Sequence, residues 1–506
     1  MSMTAASSTY FERVADEWDA LRSSYFTEAV RESALAKAYL RPEMTVADVG
    51  AGTGFMAAGL APQVSRVHVL DGSTAMLDVA RRNLGQYDTV AYQQTEGHIL
   101  PLPDASLDAV FANMYLHHCP DPAAAIREMV RVLRPGGRLV ITDMDAHTYE
   151  WMRQEMADEW PGLDRAQIRA WFREAGLVNI LVDCTGESCC AESQTPGAAI
   201  TDASSRKAKI SVFVATGSTR VMGTREEVQA HYGEHAVSSG AGYSGCSCSG
   251  TPQAGEDSCC SSSEQAPNAL QIGYSAEELA QIPAEAANLS LGCGNPGAMA
   301  SLRPGQVVLD IGSGGGIDAF YAARRVGPQG LVIGLDMTPQ MIERARKSAA
   351  EAGLSQVEFR LGNAQAMPVE DGTVDVILSN CVINLAEDKG KVFEEAYRVL
   401  KDRGRLSISD VVTDKALPMS LRGDAAQWGS CVHGALPERE YLDLIAQAGF
   451  QGIRTARSDI GGEIEGVRVY SLSVSAHKGK VTDDLPADVI PLTVTASCQC
   501  GPSCCG

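Results

Sequence analysis

One sequence pattern occurs in both halves of the chain and restricts what it can fold into. An apolar strand reaches an aspartate and runs into a glycine-rich turn, as VADVGAGTG from Val46 and as VLDIGSGGG from Val308. In each copy a second apolar strand follows and ends in an acid, Asp71 or Asp336. A buried parallel strand, a tight glycine turn and a following acid form a nucleotide-binding β–α–β unit. The sequence therefore predicts a tandem duplication with two candidate sites.

The repeats and their flanking segments predict four regions in the 506 residues. Two Rossmann-like α/β domains with doubly wound, mostly parallel sheets are expected, and a linker rich in Cys, Ser and Gly joins them. The N-terminal domain is predicted at 1–220. A helix, the linker and a lead-in follow at 221–290, the C-terminal domain at 291–478 and a Cys-rich tail at 479–506.

The net charge and the hydropathy of the chain restrict its partners and its location. A formal net charge of −21 argues against nucleic acid as a ligand, because phosphate binding needs a basic face. It also disfavours adsorption to anionic membranes. The sequence has no apolar run long enough for a membrane span and no signal-peptide pattern at its N-terminus. We expect a cytoplasmic protein with no nucleic-acid or membrane partner.

The glycine spacing departs from that of a dinucleotide-binding loop. Phe55 and Ile317 stand where such a loop has its third glycine, which argues against a pyrophosphate site. The looser turn lets the backbone approach a smaller ligand at the carboxyl ends of the strands. Asp71 and Asp336 can accept hydrogen bonds from ribose hydroxyls there, and the end of each third strand lies where an adenine edge would be.

In both halves this set resembles the class I S-adenosylmethionine-dependent methyltransferases. The resemblance implies the class I methyltransferase fold and S-adenosyl-L-methionine as cofactor. In the C-terminal half it implies a cofactor site made of Asp310, Gly312, Gly314, Gly316, Asp336, Met337, Asn363, Ala364 and Asn380. In the N-terminal half the corresponding residues are Asp48, Gly50, Gly52, Gly54, Asp71, Glu96 and Gly97. A duplicated fold whose first site is inactive is the alternative.

The 15 cysteines are unevenly distributed. Two groups lie in a Ser- and Gly-rich stretch and near the C-terminus, at Cys246, Cys248, Cys259, Cys260, Cys498, Cys500, Cys504 and Cys505. Vicinal pairs in such segments are poor disulfide scaffolding for a chain with large cores. They are better suited as ligands for soft metals or metalloids, or as thiol shuttles. Incidental surface thiols are the alternative.

Three other cysteines lie in segments of the C-terminal half that reach the ligand edge of the sheet. Cys381 follows Asn380 at the end of the predicted fourth strand. Cys431 lies between the fifth strand and a helix, and Cys293 precedes the first strand. Three thiolates in a trigonal pyramid suit a soft cation with a lone pair, such as As(III). Small core residues are the alternative.

Four segments of the C-terminal half resemble the arsenite methyltransferases: SLGCGNP at 290–296, DMTPQMI at 336–342, SNCVINL at 379–385 and CVHGAL at 431–436. The resemblance covers roughly 225–478. Three cysteines bind As(III) in that family, which implies this role for Cys293, Cys381 and Cys431. A further Cys–Cys pair takes part in thiol–disulfide chemistry there, which implies Cys259 or Cys260.

The resemblance implies S-adenosylmethionine-dependent methylation of As(III) for arsenic detoxification, with thiolate-bound arsenic as the nucleophile. The substrate is then As(III) or its thiol conjugates. Methylation draws on the arsenic lone pair and formally oxidises it to As(V). A thiol reductant from the thioredoxin or glutathione system would therefore complete the cycle.

The N-terminal half departs from this pattern, because Met114 stands where the C-terminal half has Cys381. Its segment NMYLHH, at 113–118, resembles the small-molecule methyltransferases of the ubiquinone and menaquinone type. His117 and His118 are candidates for a catalytic base or for packing. Two other functions of the chain stay open: methyl transfer to a small organic acceptor, with structural cysteines, or binding and sequestration of a metalloid by a thiol-rich protein.

Overall fold

The computed structural model describes residues 5–95, 99–192, 207–238, 274–288, 292–425, 428 and 431–479. The chain divides into two compact units between Arg220 and Val221. Among the described residues, no helix combines the length and the apolar composition that crossing a membrane requires.

The first unit is built on a seven-stranded sheet. Its strands are β1 (Thr45–Val49), β2 (Arg66–Asp71), β3 (Val90–Gln94), β4 (Leu107–Asn113), β5 (Leu133–Met144), β6 (Leu177–Glu192) and β7 (Lys207–Thr219), in the order β3-β2-β1-β4-β5-β7-β6. The first five are parallel, and β7 runs antiparallel between β5 and β6. Its helices are Ala5–Val14, Trp18–Tyr25, Glu28–Ala38, Phe55–Leu60, Thr74–Asn83, Pro122–Val132, Glu150–Glu155 and Arg165–Glu174.

The second unit repeats this topology. Its strands are β8 (Val307–Ile311), β9 (Leu331–Asp336), β10 (Val357–Leu361), β11 (Val374–Asn380), β12 (Leu400–Thr413), β13 (Phe450–Ile464) and β14 (Val467–Lys478), in the order β10-β9-β8-β11-β12-β14-β13. Its helices are Thr224–Ser238, Ala276–Leu279, Ala284–Asn288, Pro296–Met299, Ile317–Val326, Pro339–Glu351, Lys389–Val399, Met419–Arg422 and Glu438–Gln447. The predicted fold class, two tandem α/β domains with mostly parallel sheets, is confirmed.

The centre of each sheet is apolar on both faces, as β4 illustrates. Six of its seven residues are buried, so helices must cover both sides of the sheet. Asp121 caps the N-terminus of the helix Pro122–Val132, and its side chain accepts a hydrogen bond from the Ala124 N–H. Ile126 and Met129 on one face of this helix are buried in the core of the first unit. This packing fixes the carboxyl end of β4, where the candidate site residues lie.

Candidate active sites

The glycine turn of the second unit lies at the carboxyl end of β8 and leads into the helix Ile317–Val326. Gly312, Gly314 and Gly316 have φ angles of 70°, 49° and 96°, a region that residues with a Cβ rarely adopt. A Cβ atom on Gly312 would lie 2.3 Å from the Val382 side chain. The turn therefore needs glycine and brings the backbone close to the ligand edge.

A solvent-open cleft of about 1040 Å³ lies along this edge. The predicted cofactor-binding residues that line it are Gly312, Gly314, Asp336, Met337, Asn363, Ala364 and Asn380. Asp310 and Gly316 are not part of the lining. Cys381 contributes to the same wall, and Val228 and Tyr232 of the helix Thr224–Ser238 line another part. The glycine turn, the acid of β9 and one of the three cysteines thus share one cavity.

Asp336 ends β9 and faces the glycine turn. Its two carboxylate oxygens accept hydrogen bonds from the Gly314 N–H (2.9 Å) and the Thr338 N–H (2.8 Å). Each oxygen can accept a further bond. Burial raises the pKa of Asp336, while the bonds from Thr338 and Gly314 oppose that shift. The side chain is therefore positioned as a hydrogen-bond acceptor at the cleft.

A second acid at this edge, Asp318, was not predicted from the sequence. It is 4% exposed and accepts hydrogen bonds from the Tyr274 hydroxyl (2.6 Å) and the Asn380 Nδ2 (3.2 Å). Burial raises the pKa of Asp318 to about 6. Asp310 lies nearby with Oδ2 unpartnered among the described residues, and burial together with Asp318 and Asp336 raises its pKa. The sequence signal was a carboxylate in the first turn of the helix that follows the glycines.

Cys381 lies at the centre of the three predicted arsenic ligands. The neighbouring side chains of Cys293 and Cys431, together with burial, raise the pKa of Cys381. Cys381 has a φ of 60°, and its N–H donates to the Ser409 carbonyl at 2.7 Å. The three sulfur atoms do not form a set in which every pair lies within 4.8 Å. The described cysteines form no disulfide.

Asn380 attaches the Cys293 segment to the end of β11. Its Oδ1 accepts from the Cys293 N–H at 2.9 Å, and its Nδ2 donates to the Gly294 carbonyl at 2.7 Å. The Cys293 carbonyl accepts from the Ser471 hydroxyl at 3.1 Å. One amide side chain therefore holds both the Cys293 backbone and, through Nδ2, the Asp318 carboxylate.

The Cys431 segment is held against the sheet from the other side. A Cβ on Gly434 would lie 2.0 Å from the Asn384 carbonyl oxygen, so only glycine permits this approach. The Leu436 carbonyl accepts from the Thr413 N–H at 3.0 Å at the end of β12. Cys293 and Cys431 pack, half-buried, against one cluster that contains Cys381.

A buried polar network supports the turn after Cys381. Asp410 accepts hydrogen bonds from the Asn384 N–H and the Tyr441 hydroxyl, each at 3.1 Å, and burial, with Cys431, raises the pKa of Asp410 to about 7. The Lys389 ammonium donates to the Asn384 carbonyl at 3.1 Å. Burial lowers the pKa of Lys389 to about 8. Nothing in the sequence spacing of these residues indicates that they form a network.

The first unit has the same glycine turn and acid. Gly50, Gly52 and Gly54 have φ angles of 66°, 53° and 90°. Asp71 accepts from the Gly52 N–H at 2.7 Å, and burial raises the pKa of Asp71. Asp48 accepts from a backbone N–H at the start of the next helix, and burial raises its pKa to about 7. Both predicted acids therefore occupy positions equivalent to those of the second unit.

The N-terminal helices pack near the glycine turn of the first unit. The Thr53 hydroxyl donates to Asp19 at 2.6 Å, and the Ser73 hydroxyl donates to Glu12 at 2.8 Å. A Cβ on Gly52 would lie 3.6 Å from the Trp18 ring nitrogen. The predicted residues Glu96, Gly97, Cys259 and Cys260 and the C-terminal cysteines lie outside the described residues.

Two family models, both described as a methyltransferase domain, match residues 302–449 and 47–141. The arsenite methyltransferase of Halobacterium salinarum is 43% identical over 236 residues, which are 47% of this chain and 59% of that protein. The demethylmenaquinone methyltransferase of Clavibacter sepedonicus is 29% identical over 164 residues, covering 27% of this chain and 66% of that protein.

A crystal structure of an arsenic(III) S-adenosylmethionine methyltransferase from Chlamydomonas reinhardtii is 35% identical and covers 40% of this chain and 72% of that one, with a TM-score of 0.37. The sheets and the two domain matches define the class: the chain carries two methyltransferase domains in tandem. Over part of its length it is a homologue of the arsenite methyltransferases, spanning about three fifths of the first relative's length. The predicted resemblances to the arsenite and menaquinone-type enzymes are confirmed.

Proposed function

We propose that the second unit transfers methyl groups from S-adenosylmethionine to As(III) held by Cys293, Cys381 and Cys431. The observation that carries this proposal is the position of Cys381. Cys293 and Cys431 pack against the cluster that contains Cys381, and the Cys381 side chain lines the cleft that also contains Asp336 and the glycine turn. A nucleophile held there lies beside the cofactor cleft.

The residues of the cleft fit this cofactor. Asp336 has acceptor capacity left for ribose hydroxyls, and Asn363 and Ala364 line the part of the cleft at the end of β10, where the adenine edge would lie. The Asp318 carboxylate lines the cleft and can face a cationic ligand near the glycine turn. When bound, S-adenosylmethionine supplies a methyl group already activated by a sulfonium.

Thiol chemistry explains how protonated cysteines can take up the metalloid. The pKa of Cys381 is raised, so its thiol keeps its proton at neutral pH. As(OH)₃ exchanges three hydroxyl groups for three thiols, and the thiol protons leave with the hydroxyl groups as three waters. The product is neutral, which suits a buried site. Pyramidal As(III) keeps its lone pair on the side away from the three sulfurs.

The remaining steps require a reductant. Methylation formally converts As(III) to As(V), and two thiols return two electrons when they form a disulfide. We propose that Cys259 or Cys260 takes part, that thioredoxin or glutathione restores the thiols, and that the cycle serves arsenic detoxification in the cytoplasm. As(III) or its thiol conjugates are then the substrate.

The test measures S-adenosylhomocysteine formed by the full chain with and without As(III), in the presence of a thiol reductant. We expect S-adenosylhomocysteine only when As(III) is present, with one arsenic-bound methyl group for each S-adenosylhomocysteine formed. Binding of As(III) without S-adenosylhomocysteine would show a sequestering protein instead. Turnover of organic acceptors with no response to As(III) would show that the cysteines are structural.

A further inference from the structure

Three buried side chains of the first unit converge after β4, outside the site proposed for arsenic. His117 and His118 lie in the turn that follows this strand, and Asp158 lies in the loop before the helix Arg165–Glu174. One ligand atom from each lies within 4.8 Å of the other two. The His117 Nε2 and the His118 Nδ1 are each 3.7 Å from the Asp158 Oδ1. These distances are too long for hydrogen bonds. The His118 Nδ1 lies 3.2 Å from the Ala157 carbonyl oxygen, a hydrogen bond that ligation of a metal ion by this nitrogen would replace.

Asp158 is almost completely buried, with 5% of its surface exposed. Both of its carboxylate oxygens lack a partner among the described residues. A buried carboxylate is unfavourable unless a hydrogen bond, a positive charge or a metal ion compensates it. Its orientation toward two imidazole rings therefore points to a positively charged occupant.

The hydrogen bonds of His117 leave one ring nitrogen available. Its Nδ1 lies 2.5 Å from the Asp143 Oδ1, and the other oxygen of Asp143 accepts from the Leu116 N–H at 3.0 Å and the His117 N–H at 3.3 Å. The Asp143 carboxylate accepts a hydrogen bond from the Nδ1–H, so a neutral His117 carries its lone pair on Nε2, which faces Asp158. Histidines that ligate metal ions usually donate their other ring N–H to a carboxylate or a carbonyl in this way.

We propose that the first unit binds one divalent transition-metal ion of the Zn²⁺ class between His117, His118 and Asp158. Nitrogen and carboxylate ligands suit such ions. Bonds of about 2.0–2.1 Å that meet at the tetrahedral angle span about 3.4 Å, so the observed 3.7 Å needs only a small contraction. Three protein ligands leave a fourth position for an oxygen, nitrogen or sulfur atom of a small acceptor.

The cluster of His117, His118 and Asp158 lies at the end of β4, at the same edge of the sheet where a methyl acceptor is expected. Met114 precedes His117 in the same turn and occupies the place that Cys381 has in the second unit. The two repeats would then hold their acceptors at the same edge by different chemistry, three thiols in one and a metal ion in the other.

The test is a Co²⁺ titration of the full, reduced chain followed by absorption spectroscopy. Cobalt bound by thiolates gives intense sulfur-to-metal charge-transfer bands, whereas a nitrogen and oxygen site gives only weak d–d bands, so the two kinds of site are separable. We expect one equivalent of Co²⁺ to bind with weak d–d bands only, and Zn²⁺ to displace it. Absence of that equivalent in the unaltered chain would overturn the proposal, and His117 would then be an imidazolium between two carboxylates.

Variants identify the ligands. We expect Asp158→Asn and His117→Gln each to lose this equivalent of Co²⁺. Glu159→Gln changes the neighbouring acid outside the cluster and should retain it, and Cys381→Ser should reduce only the thiolate bands. Retention of the equivalent in a folded Asp158→Asn chain would contradict the assignment. Far-ultraviolet circular dichroism checks folding, and the measurement on the unaltered chain decides the proposal if the variants unfold.

Discussion

Met114 and Cys381 occupy the same backbone position in the two repeats. Each follows the asparagine that ends the fourth strand of its sheet, and their φ angles are 50° and 60°. Each N–H donates to the neighbouring strand, to Thr142 at 2.8 Å and to Ser409 at 2.7 Å. The two repeats therefore share a backbone conformation that is uncommon for residues other than glycine, but the side chain is a thioether in one repeat and a thiol in the other.

Replacing the thiol at the centre of the trio should abolish arsenite turnover. We expect Cys381→Ser to lose As(III) methylation, because Cys381 both packs with the other two cysteines and lines the cofactor cleft, while affinity for S-adenosylmethionine stays within a few-fold. Isothermal titration and S-adenosylhomocysteine formation measure the two quantities. Cys190→Ser, at an exposed thiol of the first unit, is the matched control. Full activity of Cys381→Ser would refute thiolate ligation.

The acid at the end of β9 should control cofactor affinity. Asp336→Ala removes the proposed ribose contact, at a cost of about 1.5–3 kcal/mol for a hydrogen bond to a charged group. We expect cofactor binding to weaken about ten- to a hundredfold with As(III) affinity unchanged. Asp402→Ala, at an exposed carboxylate, provides the comparison. Equal affinities in the two variants would mean that the cofactor binds elsewhere.

Cofactor binding at the two glycine turns should be measurable separately in the full chain. Both have positive φ angles and an acid that accepts from the turn, so we expect two molecules of S-adenosylmethionine per chain. Asp71→Ala should weaken one binding event and leave arsenite methylation intact, because the three thiols are in the other half. Calorimetric stoichiometry and activity check this. Loss of arsenite methylation in Asp71→Ala would show that the halves do not work independently.

The buried acid of β1 should make the first unit less stable as pH rises. The pKa of Asp48 is raised to about 7, from 3.8 in an unfolded chain. Between these values the folded state binds more protons, so its stability declines with rising pH. We expect Asp48→Asn to increase the free energy of unfolding at pH 8, by about 2–4 kcal/mol, and to lose this advantage near pH 4.

Tryptophan fluorescence is the measurement for this comparison. Four of the five tryptophans lie in the first unit, at Trp18, Trp151, Trp160 and Trp171. Urea unfolding followed at several pH values should show the difference between the variant and the unaltered chain growing from pH 4 to pH 8. A difference that does not depend on pH would mean that Asp48 is ionised in the folded state.

The repeat and the local sequence patterns made the fold predictable. The contacts between residues far apart in the sequence could not be predicted. The strand that ends at Asp71 or Asp336 and the glycine turn before it follow from a few adjacent residues. Asp158 is different, because it lies in an irregular loop and reaches His117 only through the path of that loop. The same holds for Tyr274, whose hydroxyl meets Asp318 across a long stretch of chain. No periodicity marks such residues in the sequence.

The amide of Asn380 has a thermodynamic consequence for the second unit. It bonds at once to the backbone that carries Cys293 and to the carboxylate of Asp318 beside the cofactor cleft. A shift of this side chain on loading of either ligand changes the geometry that the other ligand meets. By linkage, the factor by which arsenic changes cofactor affinity must equal the factor by which the cofactor changes arsenic affinity. A coupling carried by Asn380 would therefore change the affinity for the second ligand by the same factor, whichever ligand binds first.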